Sequence, residues 1–451
     1  MSKSRFAPGI YKVSELIDLK ILDIGDGYRA KNSEMSEEGL PFARAGNINE
    51  GFHFESADRL GDDGVAKAAE KISRPGDVLF TSKGTVGRFA LVREDTPQFV
   101  YSPQLCYWRS KEHSIIYPKF LYYWMSGPGL ISQINSVKGQ TDMADYVNLR
   151  DQRMMYIQVP PIATQREIAA VLSSLDDKGE LNRQMNRTLE QMARALFKSW
   201  FIDFDPVHAK QRGEQPAGMD AETAALFPDR FVEIDGKEVP EGWEIAKLGK
   251  LIDLDKGVSY KGEFLSQSGI PMLNLGTFFA KAGFKPSGIK YYTGDYKNKH
   301  TVEAGDIIIA NTDLTQRREI IGSPAIVPKG IGSGDIIFTH HTFAMRNRGL
   351  AGQQFIYHIM QTDDYRERVI GHAHGTTVLA VKKDSLLDLE IILPSGEIVD
   401  RFCIQASALY NCAEQNGIEI AHLTQVRDSL LPRLLSGELD VSDWENAVEG
   451  L

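Results

Sequence analysis

"RPGDVLFTS" at Arg74–Ser82 and "EAGDIIIAN" at Glu303–Asn311 are two versions of one pattern. Each places glycine and aspartate before a run of β-branched or apolar residues, which predicts a turn leading into a strand. Other segments repeat around this pair in the same order. "KVSELIDL" (Lys12–Leu19) matches "KLGKLIDL" (Lys247–Leu254), and "LPFARAGNI" (Leu40–Ile48) matches "IPMLNLGTF" (Ile270–Phe278). "KGQTDMADYVNL" (Lys138–Leu149) answers "HGTTVLAVKKDSL" (His374–Leu386), and "QVPP" answers "ILP". The offsets stay between about 229 and 236 residues, so small insertions separate two copies of one plan. "FLYYWMSG" and "FIYHIMQT" read as short helices carrying aromatics, and each copy becomes a mixed helix and strand module of roughly 150 residues.

A long helical pattern closes each copy. Pro160-Pro161 precedes Thr164-x-x-Glu167, the spacing of a capping box. Ile168, Leu172, Leu175, Leu189, Ala193, Leu196 and Trp200 then follow a three-four spacing; Phe402, Leu409, Leu423, Val426 and Leu430 do the same after Pro394-Ser395. Two helices of about 40 residues are predicted, each roughly 60 Å long at 1.5 Å per residue. Each carries one apolar stripe and needs a partner, and they are each other's obvious partner. Gly179, Asn182 and Asn186, with Gln415, Asn416 and Gly417, make the middle of both stripes polar, a register-setting or loosely packed waist. Pro432 in "LLPRLLSGEL" (Leu430–Leu439) marks where the regular ladder of the second helix ends, and Ser436-Gly437 closes it.

The expected fold is α+β. Two tandem α/β modules are each followed by a long helix, and the helices pair as an antiparallel coiled-coil spacer with pseudo-twofold symmetry. The expected bounds are 1–160 for the first module, 161–205 for its helix and 206–240 for a connector. The second module covers 241–394, its helix 395–437, and an acidic tail 438–451.

With 451 residues, 42% hydrophobic and 25% charged, the composition is that of an ordinary globular protein of two or three domains. The opening "MSKSRFAPGI" has no apolar run and does not read as a signal peptide. Three cysteines without close spacing point to a reducing, cytoplasmic setting and away from a thiolate zinc site. The net charge of −10 is concentrated: Asp220–Glu244 carries net −6 and Gly437–Gly450 net −5, which leaves the remainder at +1. Lys281–His300 holds five lysines, one acid and interleaved aromatics, which suits a phosphate backbone as well as a solvated loop.

Catalytic motifs are scarce. No G-x-x-x-x-G-K-[ST] loop occurs, and no [ND]-P-P-[FY] motif for base methylation. "GDGYRA" (Gly25–Ala30) spells a dinucleotide motif, but no amphipathic helix follows it. Asp229, Asp235 and Lys237 carry the letters of a metal-dependent nuclease; the competing reading of Asp235-Gly236 is a hairpin turn. His340-His341 and His372-x-His374 lack cysteine or carboxylate companions, so contact with DNA or loop packing suits them better than a metal.

At this point several segments become recognisable. "LFKSWFIDFDPVHAK" (Leu196–Lys210), "LFPDRFVE…VPEGWE" (Leu226–Glu244) and "LLPRLLSGEL" resemble the DNA-specificity subunit of type I restriction–modification systems. "GDVLFTSKGTVGRFALV" (Gly76–Val92) resembles the strand–loop–strand segment of that family's target-recognition domains. The resemblance runs, in order, over essentially the whole chain. It implies that each module reads one half of a bipartite, asymmetric site in double-stranded DNA. It also implies that the helices dock two methyltransferase (modification) subunits, and that a restriction (motor-nuclease) subunit joins for cleavage. The chain itself is then non-catalytic and binds no cofactor. S-adenosylmethionine belongs to the methyltransferase subunit, and ATP and Mg to the restriction subunit.

Reading DNA needs hydrogen-bonding side chains at base edges and cations at phosphates. In the first module Arg44, Asn47, Ser82, Lys83, Thr85, Arg88, Lys138, Gln140 and Thr141 are the candidates. In the second they are Asn311, Thr315, Gln316, Arg317, Arg318, Thr376 and Thr377. The two sets differ chemically, which predicts two different half-sites. A stand-alone endonuclease built on Asp229, Asp235 and Lys237, and a coiled-coil scaffold that binds only protein, are the competing functions.

Overall fold

The computed structural model describes residues 6–48, 51–55, 57–84, 86–137, 146–314, 317–332, 334–375 and 378–444. Two compact units divide the chain: Met1–Asn182 with Ile418–Leu451, and Arg183–Gly417. They do not part at the module ends. Each takes one module and half of both long helices, Ile162–Phe201 and Gly396–Ser436.

Within the first unit a four-stranded antiparallel sheet runs in the order Leu22–Asp26, Leu105–Ser110, Asp77–Thr81, Phe89–Leu91. A second sheet orders Met35–Ser36, Arg59–Leu60, Leu40–Ala43 and Val100–Tyr101, its last pair parallel. Gly9–Lys12 and Tyr156–Val159 close the module as a separate antiparallel pair. The second unit repeats this plan. Ile252–Lys256, Thr342–Asn347, Ile307–Ala310 and Pro324–Ile326 form the first sheet. In the second sheet Ile270–Leu273 again pairs parallel, with Ile336–Phe338, and Glu244–Lys247 with Glu390–Leu393 closes the module. Even the close approaches recur. A Cβ on Gly27 would lie 1.9 Å from the Ser102 carbonyl oxygen, and one on Gly257 2.2 Å from that of Phe338. The two glycines of "GDGYRA" therefore serve chain packing: a Cβ on Gly25 would meet the Tyr107 ring at 2.5 Å.

The helices pair antiparallel in each unit, because each core draws on opposite ends of the two. In the first, Ile168, Ala169 and Leu172 pack with Val426, Leu430 and Leu434 around Phe120, Leu121 and Trp124. In the second, Phe197, Trp200 and Phe201 pack with Ile398, Val399 and Phe402 around Phe355 and Trp243. The module helices Pro118–Ser126 and Gln353–Ile359, read from "FLYYWMSG" and "FIYHIMQT", supply the facing aromatics. Polar residues stitch the waist. Asn182, fully buried, donates from Nδ2 to Glu419 Oε2 at 2.7 Å in the first unit. Asn186 donates to the Ala413 carbonyl at 3.0 Å and accepts from Asn416 Nδ2 at 2.8 Å in the second. A polar pair at such a seam disfavours slipped registers.

Two local expectations are corrected. The first long helix starts at Ile162, so Thr164 lies inside its first turn and is no cap. The anchor is instead Gln165, fully buried, which donates to the carbonyls of Ile115 and Pro160 and accepts from the Tyr117 amide. Pro432 does not interrupt the second helix, which runs unbroken past it to Ser436, within the expected bounds of 395–437. Burial of Leu430 and Leu434 on either side of it outweighs one lost backbone bond, and the stop is Gly437 with φ +76°.

Candidate nucleic-acid interface

In the first module the strand Asp77–Thr81 delivers the loop of residues 82–88, where Gly84 (φ +82°) and Gly87 (φ +100°) turn the chain back. Both take conformations that residues with a Cβ disfavour. The Gly87 amide bonds the Thr81 carbonyl at 3.1 Å, and the Arg88 amide bonds Thr81 Oγ1 at 3.0 Å, so the loop is tied at its base. Lys83 is exposed, and its backbone is held in an isolated antiparallel bridge with Tyr146. Arg88 is half-buried and reaches the Ala45 carbonyl with Nη1 at 3.4 Å.

Nearby, Arg44 is exposed over the Phe42 ring and pairs with Asp58 at 2.6 Å. Asn47 accepts from the Arg44 amide and donates to the His53 carbonyl, so its side chain shapes this turn.

Ser82 and Asn311 are corrections. Ser82 is 1% exposed, and both its amide and its hydroxyl bond the Gln104 carbonyl. Asn311 is 4% exposed and is held by the His340 carbonyl and the Thr312 hydroxyl. Each continues a central strand inward, so its polar end serves the scaffold. Thr85, Lys138, Gln140, Thr141, Thr315, Gln316, Thr376 and Thr377 lie outside the described residues.

In the second module Arg317 is exposed, with Glu319 3.8 Å away. Arg318 takes φ +54°, and Arg366 clamps the loop there by donating to the carbonyls of Arg318 and Glu319 at 2.5 and 2.7 Å. Beside this loop opens a cleft of about 820 Å³. Lys256, Lys299, Lys382 and Lys383 line it with His340, His341 and His374. Burial holds His340 and His341 below the ordinary histidine range; the neighbouring His340 adds to the shift of His341, and Lys256 to both, which favours the neutral rings. Lys299 belongs to the basic segment already noted; loop reading did not single out Lys256, Lys382 and Lys383, because Lys256 ends a strand and Lys382-Lys383 opens a short helix. The segment Lys281–His300 keeps its five lysines exposed around the strand Lys290–Tyr292.

The nuclease grouping does not form. Asp235 and Gly236, both at positive φ, are the turn of the hairpin joining Phe231–Ile234 to Lys237–Pro240. Lys237 is committed to Glu390 at 2.9 Å. Among the described residues no cluster of three or more histidine, cysteine or acidic residues could hold a metal, and no helix is long and apolar enough to cross a membrane.

Comparison with known proteins points one way. The profile of the type I restriction modification DNA specificity domain matches residues 10–191. The HindI specificity subunit of a type I restriction enzyme from Haemophilus influenzae is 26% identical, over 94% of this chain and all of that one. The MjaIX specificity subunit from Methanocaldococcus jannaschii is 23% identical, over 84% of this chain and 81% of that one. Among solved structures, the S subunit of a type I restriction–modification system from M. genitalium is 15% identical, covers 96% of this chain and 97% of its own, and superposes with a TM-score of 0.49.

Proposed function

The chain belongs to the DNA-specificity subunits of type I restriction–modification systems, and from that premise we propose that its two modules each read one half of a bipartite, asymmetric site in double-stranded DNA. The observation that carries this is the repeat itself. The four-stranded sheet and the parallel pair of the second sheet occur in both modules, while the side chains at matching loops differ: exposed Lys83 and half-buried Arg88 in one, exposed Arg317 and Arg318 in the other. A shared scaffold with unlike contact groups suits two unlike sequences. The lysines of the cleft and of Lys281–His300 are placed to neutralise phosphates, which supply affinity without choosing bases.

As a specificity subunit the chain recognises DNA and leaves the chemistry to its partners. In this reading the paired helices dock two methyltransferase subunits that carry S-adenosylmethionine and modify adenine. A restriction subunit using ATP and Mg joins for cleavage, and the assembly works in the cytoplasm. Mapping methylated adenines in a host that expresses the complete system tests the proposal. A motif of two unlike parts separated by a fixed gap is expected, and a continuous or palindromic motif would overturn it.

A further inference from the structure

At the turn that precedes the central strand of each module, the repeat puts two different side chains in one place. Phe343 pairs with Lys256 as Cys106 pairs with Asp26, so His341 and Gln104, each two residues earlier, are counterparts. Their surroundings fix what each can offer. In the second module Asn311 Nδ2 donates to the His340 carbonyl at 3.1 Å, which leaves Oδ1 to accept from the Thr312 hydroxyl at 2.7 Å. That hydroxyl has spent its proton, so the 3.2 Å contact between His341 Nδ1 and Thr312 Oγ1 has the imidazole as donor. In the neutral ring that burial favours, with Nδ1 carrying the proton, Nε2 is the acceptor, and His341 lines the lysine-rich cleft. In the first module the Ala45 amide donates to Gln104 Oε1 at 3.1 Å, so the exposed Gln104 offers its Nε2 hydrogens. One position is an acceptor in one module and a donor in the other.

We propose that Gln104 and His341 are base-reading residues of the two modules, equivalent in place and opposite in hydrogen-bond polarity. The inference rests on the DNA-reading role proposed above. In the major groove the His341 acceptor suits the amino group of adenine or cytosine. The Gln104 donor suits guanine O6 or N7, or thymine O4. Both sit on turns anchored by side-chain hydrogen bonds, which a group that discriminates by direction requires.

The test is the methylated motif of a host carrying the complete system with either Gln104→Glu or His341→Gln. Glutamate keeps an oxygen for the Ala45 amide and replaces the donor with an acceptor. It should move the preference at one position of one half-site toward cytosine by about tenfold or more, with the other half unchanged. His341→Gln inserts the first module's residue and should change one position of the other half-site only. Unchanged motifs in both variants would overturn the assignment. So would equal loss of methylation at all sites from an intact complex, since that marks a general contact and not a reader. A wild-type system without any two-part motif would instead sink the underlying DNA-reading role, and it is scored before either variant.

Discussion

Arg109 grips Asp77 inside the first module, with Nε 2.6 Å from Oδ1 and Nη2 2.7 Å from Oδ2. Asp77 is fully buried, and it also accepts from the Tyr101 hydroxyl at 2.6 Å and the Arg74 amide at 2.8 Å. The second module keeps the pair as Arg346 and Asp306 at the corresponding cross-strand places, but opens it. The separation is 3.4 Å, about a third of each side chain is exposed, and Asp255 shares the arginine.

This difference in burial sets unequal costs. Asp77→Ala leaves a buried guanidinium without its partner and should destabilise the first unit by about 3–5 kcal/mol. Asp306→Ala should cost about 1 kcal/mol or less, because water and Asp255 compensate. Urea unfolding of the full chain, followed by hydrogen exchange on each unit, checks this. Equal losses would contradict the burial argument.

His358 makes the second unit sensitive to acid. It lies buried between both long helices, stacked on Phe197 with centroids 5.4 Å apart, and its Nε2 is 3.2 Å from the Tyr410 hydroxyl. Burial, helped by Arg194, lowers its pKa from 6.5 to about 3. The unfolded chain therefore takes up the proton first as pH falls. The neutral ring's contribution is fully present above about pH 6.5 and is lost progressively toward pH 3. Thermal midpoints measured from pH 7.5 to 4.5 should fall less steeply in His358→Phe than in the wild type. An unchanged slope would show that this residue does not control the acid limb.

Much of this fold was legible in the sequence, because duplication states the same constraint twice. "RPGDVLFTS" and "EAGDIIIAN" do become matching central strands, and the three-four stripes do become two long helices. What failed was local. Ser82 and Asn311 look like loop residues in a string of letters, yet the central strands before them are covered on both faces, and that cover extends one residue past each strand end. Pro432 looked like a terminator, but tertiary burial of Leu430 and Leu434 overrides the local rule. The pairing of Gln104 with His341 was present in the repeat, between "SPQLCYW" and "THHTFAM", and needed only the strand register to fix it. Which atom each exposes depends on hydrogen bonds that no sequence displays.

Lysines around the cleft should act on affinity without regard to sequence. Lys256, Lys299 and Lys382 are exposed at its margin. Replacing any one with alanine should weaken binding of the complete complex to all duplexes alike. It should also reduce the slope of log affinity against log salt by about 1 for each phosphate contact removed. Lys83→Ala should do the same for the first module's half-site. A changed base preference without a changed salt slope would reassign the lysine from backbone to base.

The long helices should govern assembly and leave sequence choice alone. Leu430 is fully buried in the core that joins the second helix to Ile168, Leu172 and the first module's aromatics. Leu430→Ala removes three buried carbons and opens a cavity, at a cost of about 2–5 kcal/mol. Its nearest base-reading candidates are held by separate strands and turns, so their geometry does not depend on it. The variant should lower the yield and melting temperature of the complex while whatever assembles methylates the wild-type motif. If Leu430→Ala altered the methylated sequence in an intact complex, the helices would be part of the reading apparatus, and the division between spacer and reader would fail.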